Sequence, residues 1–153
     1  MSDFNKQIAC IFIFSFLLFQ GCTEINNEPA FSIIPAISIK DISTDSVIQA
    51  QDSVVITITY QDGDGDLGES DPDKPTVFVQ DQRLNEPDGL HLAPLTPTGE
   101  ELSIKGDLKV VLPDLFILGN GQQQTTKMRI WFVDRSGNKS NEVVTPTLTI
   151  MKQ

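Results

Sequence analysis

Histidine and cysteine are scarce in this sequence, with one histidine, His91, and two cysteines, Cys10 and Cys22, among 153 residues. A zinc or other soft-metal site needs several nitrogen or sulfur ligands, so the sequence has nothing on which to build one. A serine nucleophile needs a base, and one loop histidine without a nucleophile motif does not supply that pairing. A glycine-rich phosphate loop with its lysine is also missing. We therefore expect a protein that is not an enzyme.

Basic residues are few as well. The 11 Lys and Arg residues are outnumbered by 21 Asp and Glu residues, which gives a formal net charge of −10. Nucleic-acid binding needs a basic face, and attraction to anionic lipid head groups needs one too. The composition therefore excludes nucleic acid as a partner and favours cations, or surfaces that cations bridge.

No hydrophobic run is long enough for a transmembrane helix, which needs roughly 20 apolar residues. The longest run, residues 8–19, has about a dozen, a length typical of the central part of a signal peptide. Gly21 then directly precedes Cys22, and this junction resembles the lipobox of bacterial lipoproteins. The resemblance implies a signal peptide over residues 1–21 and a lipid anchor on Cys22. An ordinary secretory signal with a chance cysteine is the alternative.

Disulfides are excluded if this processing occurs, because Cys10 is removed with the signal and Cys22 is acylated. Stability must then come from a hydrophobic core, with or without a metal. Residues 22–32 are polar and lack periodicity, which predicts a flexible tether. Residues 33–153 remain, enough for one domain with its own core.

Helical periodicity is missing throughout this domain. Apolar and polar residues instead alternate in short segments, for example in residues 54–60 and 128–133, which is typical of half-buried strands. About seven such strands, separated by turn signals, predict an all-β fold, an immunoglobulin-like antiparallel β-sandwich. A β-barrel or jelly roll is the alternative. Gly106 interrupts the alternation of residues 102–112 and predicts a bulge or a bend.

Carboxylates are abundant and are concentrated in residues 60–73, YQDGDGDLGESDPD. Gly63 and Gly65 let the backbone curl so that several oxygens converge on one point. Like charges about 5 Å apart repel by roughly 3 kcal/mol at an effective dielectric constant near 20, so a cation is needed to close the loop. We therefore predict calcium as a cofactor, with magnesium as an open alternative. The candidate ligands are Asp62, Asp64 and Asp66 first, then Glu69, Asp71 and Asp73. The competing interpretation is a solvated acidic hairpin whose Asp and Gly residues only satisfy turn geometry.

The spacing of the acidic loop agrees only in part with an EF-hand. Asp62, Asp64 and Asp66 match its first, third and fifth ligand positions, but Leu67 occupies the position that requires glycine. Asp73, at the twelfth position, is shorter than the usual glutamate, and no helices flank the segment. Only the general idea, alternating carboxylates that bind calcium, therefore carries over.

A second polar segment, DRSGNKSN at residues 134–141, precedes a Thr-rich final strand. Together with DGDGDLG, it resembles envelope lipoproteins of the Bacteroidetes type with immunoglobulin-like domains. That resemblance implies exposure on the outer membrane and calcium binding, and it implies no activity. In such a sandwich the loops after the second and sixth strands lie at the same end, so Asp134 can reach the acidic loop as a further metal ligand. Alternatively, Asp134 only caps its own turn.

Two aromatic side chains fall on the wrong face of their strands for a core. Trp131 alternates with Ile130 and Phe132, and Phe78 alternates with Val77 and Val79. Because these strands neighbour one another in an immunoglobulin-like sheet, the two rings are candidates for contact with a glycan or protein ligand. The alternative is that residues 81–100 fold over them.

Two functions remain open. The first is a membrane-anchored binding or adhesion module that uses calcium to rigidify one end. The second is a non-catalytic structural subunit or spacer of an envelope assembly.

Overall fold

A computed structural model describes residues 31–97, 99–113 and 115–153, and every regular element in these ranges is a β-strand. The strands are β1 (Ala36–Ile42), β2 (Ser46–Ile48), β3 (Val54–Asp62), β4 (Val77–Asp81), β5 (Asp88–Leu90), β6 (Ile104–Leu112), β7 (Gln123–Thr126), β8 (Met128–Phe132), β9 (Val143–Val144) and β10 (Leu148–Met151). Within these ranges no helix is long and apolar enough to cross a membrane. The predicted signal peptide, Cys22 and nearly all of the tether lie outside the described residues.

The first layer of the fold is an antiparallel sheet in the order β1, β3, β6. Its central strand is β3, where Val54, Ile56 and Ile58 are fully buried and alternate with half-buried residues. Burial of alternate β-branched side chains is what selects the strand here, because each one packs against the core from a pleated surface. The predicted alternation of residues 54–60 is therefore confirmed.

The second layer is formed by two sheets, and two stretches of the chain run from one of these sheets into the other. One has the order β5, β4, β8, β9 and the other the order β2, β10, β7. Only Lys127 separates β7 from β8, and only residues 145–147, which include Pro146, separate β9 from β10. The two sheets therefore continue one another, with β2 added parallel to β10 at the edge.

The prediction of an all-β sandwich is confirmed. The chain crosses the fold in seven passages, because β1 with β2, β7 with β8, and β9 with β10 are interrupted halves of single passages. The core between the layers is apolar, and Ile56, Ile130, Phe132, Leu148 and Ile150 in it are almost completely buried. Among the described residues the sheets do not close on themselves, so the β-barrel alternative is wrong.

The prediction of a bulge at Gly106 is wrong. Gly106 pairs with Tyr60 in an unbroken register, and the register shift lies in β1 between Ile39 and Asp41. A methyl group at Gly106 would lie 2.6 Å from the Tyr60 hydroxyl oxygen, so the tyrosine side chain covers the strand where the glycine has none. An aromatic ring over a cross-strand glycine restores packing that the glycine cannot make.

Candidate metal centre

Two aspartates continue the buried faces of the central strands at one end of the sandwich. Asp62 ends β3 in step with Ile56 and Ile58, and Asp134 follows β8 in step with Ile130 and Phe132. Because side chains on one face of a strand recur every second residue, both carboxylates lie on the core side of their layers. The exposed fraction is 0% for Asp62 and 4% for Asp134.

Three carboxylates converge at this end. Asp62, Asp66 and Asp134 each have an oxygen within 4.8 Å of an oxygen of the other two. Asp62 is the last residue of β3 and Asp66 lies in the loop that follows it, whereas Asp134 comes from the link between β8 and β9. The cluster could hold a metal ion, and its oxygen donors suit a hard cation.

Several oxygens of these side chains are buried without a partner. Both carboxylate oxygens of Asp62, one of Asp64 and one of Asp66 have no hydrogen-bond partner among the described residues. The other oxygen of Asp66 accepts a hydrogen bond of 3.0 Å from the backbone nitrogen of Ser136. A buried carboxylate is expensive unless it is paired, and Asp62 is completely buried with both oxygens open. A cation bound here would supply the missing partner.

The pKa values of the two most buried acids reflect the same crowding. Burial, followed by the charges of Asp64, Asp66 and Asp134, raises the pKa of Asp62 from 3.8 to about 6, and the nearby backbone amide of Asp66 opposes this shift. Burial also raises the pKa of Asp134, although hydrogen bonds from Asn138 oppose the shift. The negative charges in this cluster therefore destabilise one another as long as nothing neutralises them.

Asp134 caps its own turn and also lies in the carboxylate cluster. One of its oxygens accepts a hydrogen bond of 2.7 Å from the backbone nitrogen of Asn138, and the other accepts one of 2.9 Å from the side-chain amide of Asn138. It therefore closes the turn of the 134–141 segment. Its carboxylate also belongs to the cluster with Asp62 and Asp66.

The backbone of the acidic loop is held in place by segments distant in sequence. Its carbonyl groups accept hydrogen bonds along the length of the curl. Ser103 donates to the carbonyl of Gly63, Leu102 to that of Asp64, and Thr96 to that of Gly65. Arg135 donates to the carbonyls of Asp66 and Gly68, and Leu95 donates to that of Leu67. The His91 ring nitrogen Nε2 also lies 2.7 Å from the carbonyl oxygen of Glu69. The loop is therefore braced through its main chain, while both oxygens of Asp62 and one oxygen each of Asp64 and Asp66 lack a hydrogen-bond partner among the described residues.

Glycine is required where the loop backbone comes closest to the segment that braces it. Gly65 has a φ angle of +70°, and a methyl group there would lie 2.2 Å from the carbonyl oxygen of Leu102. Positive φ angles are unfavourable for other residues, and the space at this position is already filled. The curl that brings Asp66 back towards Asp62 thus depends on Gly65.

The other predicted metal ligands lie outside the cluster. An oxygen of Glu69 accepts a hydrogen bond of 2.8 Å from the backbone nitrogen of Ser70, and this bond lowers the pKa of Glu69. An oxygen of Asp71 accepts one of 3.1 Å from the backbone nitrogen of Asp73. Lys74 lies 4.0 Å from Glu69 and 3.9 Å from Asp71. These three acids therefore form a separate turn with its own basic partner, and the three-carboxylate cluster does not include them.

No family model, curated protein or solved structure matches the chain. The chemistry of the site therefore has to follow from its own geometry.

The aromatic pair predicted as a ligand contact is present on the outer face of the second layer. The rings of Phe78 and Trp131 are stacked, with centroids 5.5 Å apart and planes inclined by 6°. The ammonium group of Lys139 lies 4.5 Å from the centroid of Trp131. Residues 81–100 add strand β5 beside β4, where Gly89 pairs with Phe78. Both rings are half-buried, and the indole already has a ring and a cation packed against it.

Residues that brace the loop were not identified from the sequence. Thr96, Leu102 and Arg135 lie far from the loop along the chain, and their backbone or hydroxyl donors carry no motif. A usable signal did exist for the carboxylates, because Asp62 and Asp134 each continue the inward-facing alternation of a predicted strand.

Proposed function

We propose that this domain binds a divalent cation, calcium, between the loop after β3 and the link after β8, with Asp62, Asp64, Asp66 and Asp134 as ligands. The observation that carries the proposal is Asp62, which is completely buried with both oxygens unpaired among the described residues. Neutral pH lies above the Asp62 pKa of about 6, so this carboxyl is ionised. A buried anion beside other anions requires a cation.

The number of available oxygens favours calcium over magnesium. Four buried carboxylate oxygens of Asp62, Asp64 and Asp66 have no hydrogen-bond partner within the described ranges, and Asp134 adds its own oxygens. Calcium takes six to eight oxygens at about 2.3–2.6 Å in flexible geometry, whereas magnesium keeps several of its waters. A loop that offers this many protein oxygens matches the calcium pattern.

Calorimetry tests the site directly. Calcium titrated into the purified protein should give a binding isotherm, which Asp64→Ala and Asp66→Ala weaken strongly. Asp73→Ala is the matched control, because it removes the same charge from an exposed position of the same loop and should change the affinity little. Equal effects of all three substitutions would indicate general electrostatics, and absence of heat in the unmodified protein would disprove the site.

We further propose that the domain is an envelope lipoprotein anchored through Cys22, and that it acts as a non-catalytic binding or adhesion module. This location supports the proposal of calcium as the ion, because calcium sites of modest affinity serve extracellular modules. The acidic net charge supports partners that a cation can bridge.

A structural subunit or spacer is the second candidate, and one observation favours it. Trp131 is packed against Phe78 and Lys139, so less of its ring face is free for a sugar. A glycan array with the purified protein separates the two functions. Reproducible hits that are lost in Trp131→Ala support the binding module, whereas a silent array with a stably co-purifying envelope protein supports the spacer.

A further inference from the structure

The chain enters the domain directly beside the candidate metal centre. The entry segment, residues 31–37, passes over the acidic loop at Gly63, where a methyl group would lie 2.3 Å from the carbonyl oxygen of Phe31 and 2.8 Å from that of Ser32. The contact is backbone against backbone. Side-chain rearrangement therefore cannot relieve a displacement of either partner.

The entry segment is also held by the other half of the centre. Asn141 lies at the end of the 134–141 segment that supplies Asp134. Its side-chain oxygen accepts a hydrogen bond of 2.8 Å from the backbone nitrogen of Ile37, and its amide donates one of 2.9 Å to the carbonyl oxygen of Ile37. Both loops that carry the clustered carboxylates therefore clamp the same stretch of chain.

The distance between the two loops that hold the entry segment depends on the charges of the clustered carboxylates. Gly63 lies between Asp62 and Asp64, so a displacement of the backbone at either aspartate moves the contact with the entry segment. In the metal-free protein the Asp134 carboxylate has an oxygen within 4.8 Å of oxygens of Asp62 and Asp66, and these like charges repel each other. A bound cation reverses the sign of this force and draws the loops together.

We propose that cation binding and clamping of the entry segment are coupled, so that the metal centre controls how rigidly the domain is joined to the chain that precedes it. The inference rests on the proposed calcium site. Coupling is reciprocal, because whatever strengthens the clamp must strengthen cation binding by the same factor. Cys22 is nine residues before Phe31, a distance of at most about 30 Å when fully extended, so a rigid joint would limit the orientations of the anchored domain at the membrane.

Hydrogen exchange of the full chain, purified in detergent, tests the coupling in calcium and in chelator. Calcium should slow exchange of the backbone amides in residues 33–37, apart from Pro35, which has no amide hydrogen, by about tenfold, within the range usual for coupled sites. Residues 115–125 at the opposite end of the sandwich serve as the internal control and should not change.

Two substitutions that touch no ligand test the reciprocal effect. Asn141→Ala removes both hydrogen bonds to Ile37 and should weaken calcium binding about five- to tenfold in calorimetry. Gly63→Ala should do the same by displacing residues 31 and 32, whereas Gly121→Ala, whose added methyl group meets nothing closer than 3.4 Å, is the matched control.

The outcomes separate this inference from the calcium site itself. Normal calcium binding with unchanged exchange at residues 33–37 and unchanged affinity in Asn141→Ala would overturn the coupling and leave the site intact. Absence of calcium binding in the unmodified protein would overturn both. If Gly63→Ala does not fold, Asn141→Ala alone decides, because its side chain lies on the surface.

Discussion

Replacing Asp62 with asparagine should stabilise the metal-free protein and abolish its stabilisation by calcium. Asparagine has nearly the same size as aspartate and no charge. In the metal-free fold the pKa of Asp62 is raised from 3.8 to about 6, so the ionised carboxylate present at neutral pH is less stable in the fold than in the unfolded chain. One pKa unit corresponds to about 1.4 kcal/mol, and ionisation of Asp62 therefore costs the metal-free fold up to about 3 kcal/mol. The variant does not carry this cost.

Calcium should reverse the order of stability. A ligand at about 1,000 times its Kd stabilises the fold by about 4.1 kcal/mol, and Asp62→Asn loses most of that gain with its central ligand. For a domain of about 120 residues, 1 kcal/mol shifts Tm by roughly 4 °C. We therefore expect the variant to melt up to about 12 °C above the unmodified protein in chelator, and below it in saturating calcium.

Thermal melts at neutral pH, followed by circular dichroism with and without calcium, measure this crossing. The Asp73→Asn variant is the control, because it loses a charge in the same loop outside the carboxylate cluster and should keep the order of the unmodified protein. A variant at Asp62 that melts below the unmodified protein in chelator as well would show that this carboxylate is a structural acceptor. That result would refute the metal assignment.

Three further predictions follow from the same contacts. In chelator, the protonated form of Asp62 stabilises the fold; this contribution is fully present below pH 3.8 and is lost as the pH rises through about 6. Denaturant midpoints of the metal-free protein should therefore increase on acidification through pH 6, and those of Asp62→Asn should not. Thr96→Val removes the hydroxyl that donates to the Gly65 carbonyl and leaves that buried acceptor unpaired, which should cost about 1–3 kcal/mol in urea denaturation and weaken calcium binding. At the opposite end, Arg83→Ala leaves the carboxylate of Asp81 without its ion pair, with side chains only 12% and 10% exposed, and should cost about 3–5 kcal/mol while calcium affinity stays the same.

The fold could be predicted because its information is local. Val54, Ile56 and Ile58 alternate with smaller or polar residues over one strand, and burial of one face requires nothing else from the chain. The interruptions within passages were not predicted, since they depend on contacts between strands. Gly106 shows the limit of local patterns, because the Tyr60 ring that keeps its strand regular comes from the neighbouring strand.

The candidate site could be predicted in its location and only partly in its membership. The loops after the second and sixth passages do meet at one end, as the sandwich model requires, and Asp134 joins Asp62 there. Glu69 and Asp71 lie in the same acidic loop as Asp66, but the path of the backbone places their carboxylates outside the cluster. That direction is set by backbone hydrogen bonds from distant residues such as Thr96, which composition and spacing do not show.

An ion held between Asp62 and Asp134 would cross-link the two layers of the sandwich, because β3 belongs to the first layer and β8 to the second. These are the second and sixth passages of the chain, the same pair that a disulfide joins in antibody domains. A chain whose only two cysteines fall in its first 22 residues would thereby gain an interlayer staple that needs no oxidant to form and no reductant to open. Its strength would follow the free calcium of the surroundings, so the same molecule would be stiff in a calcium-rich medium and loosened wherever calcium is sequestered.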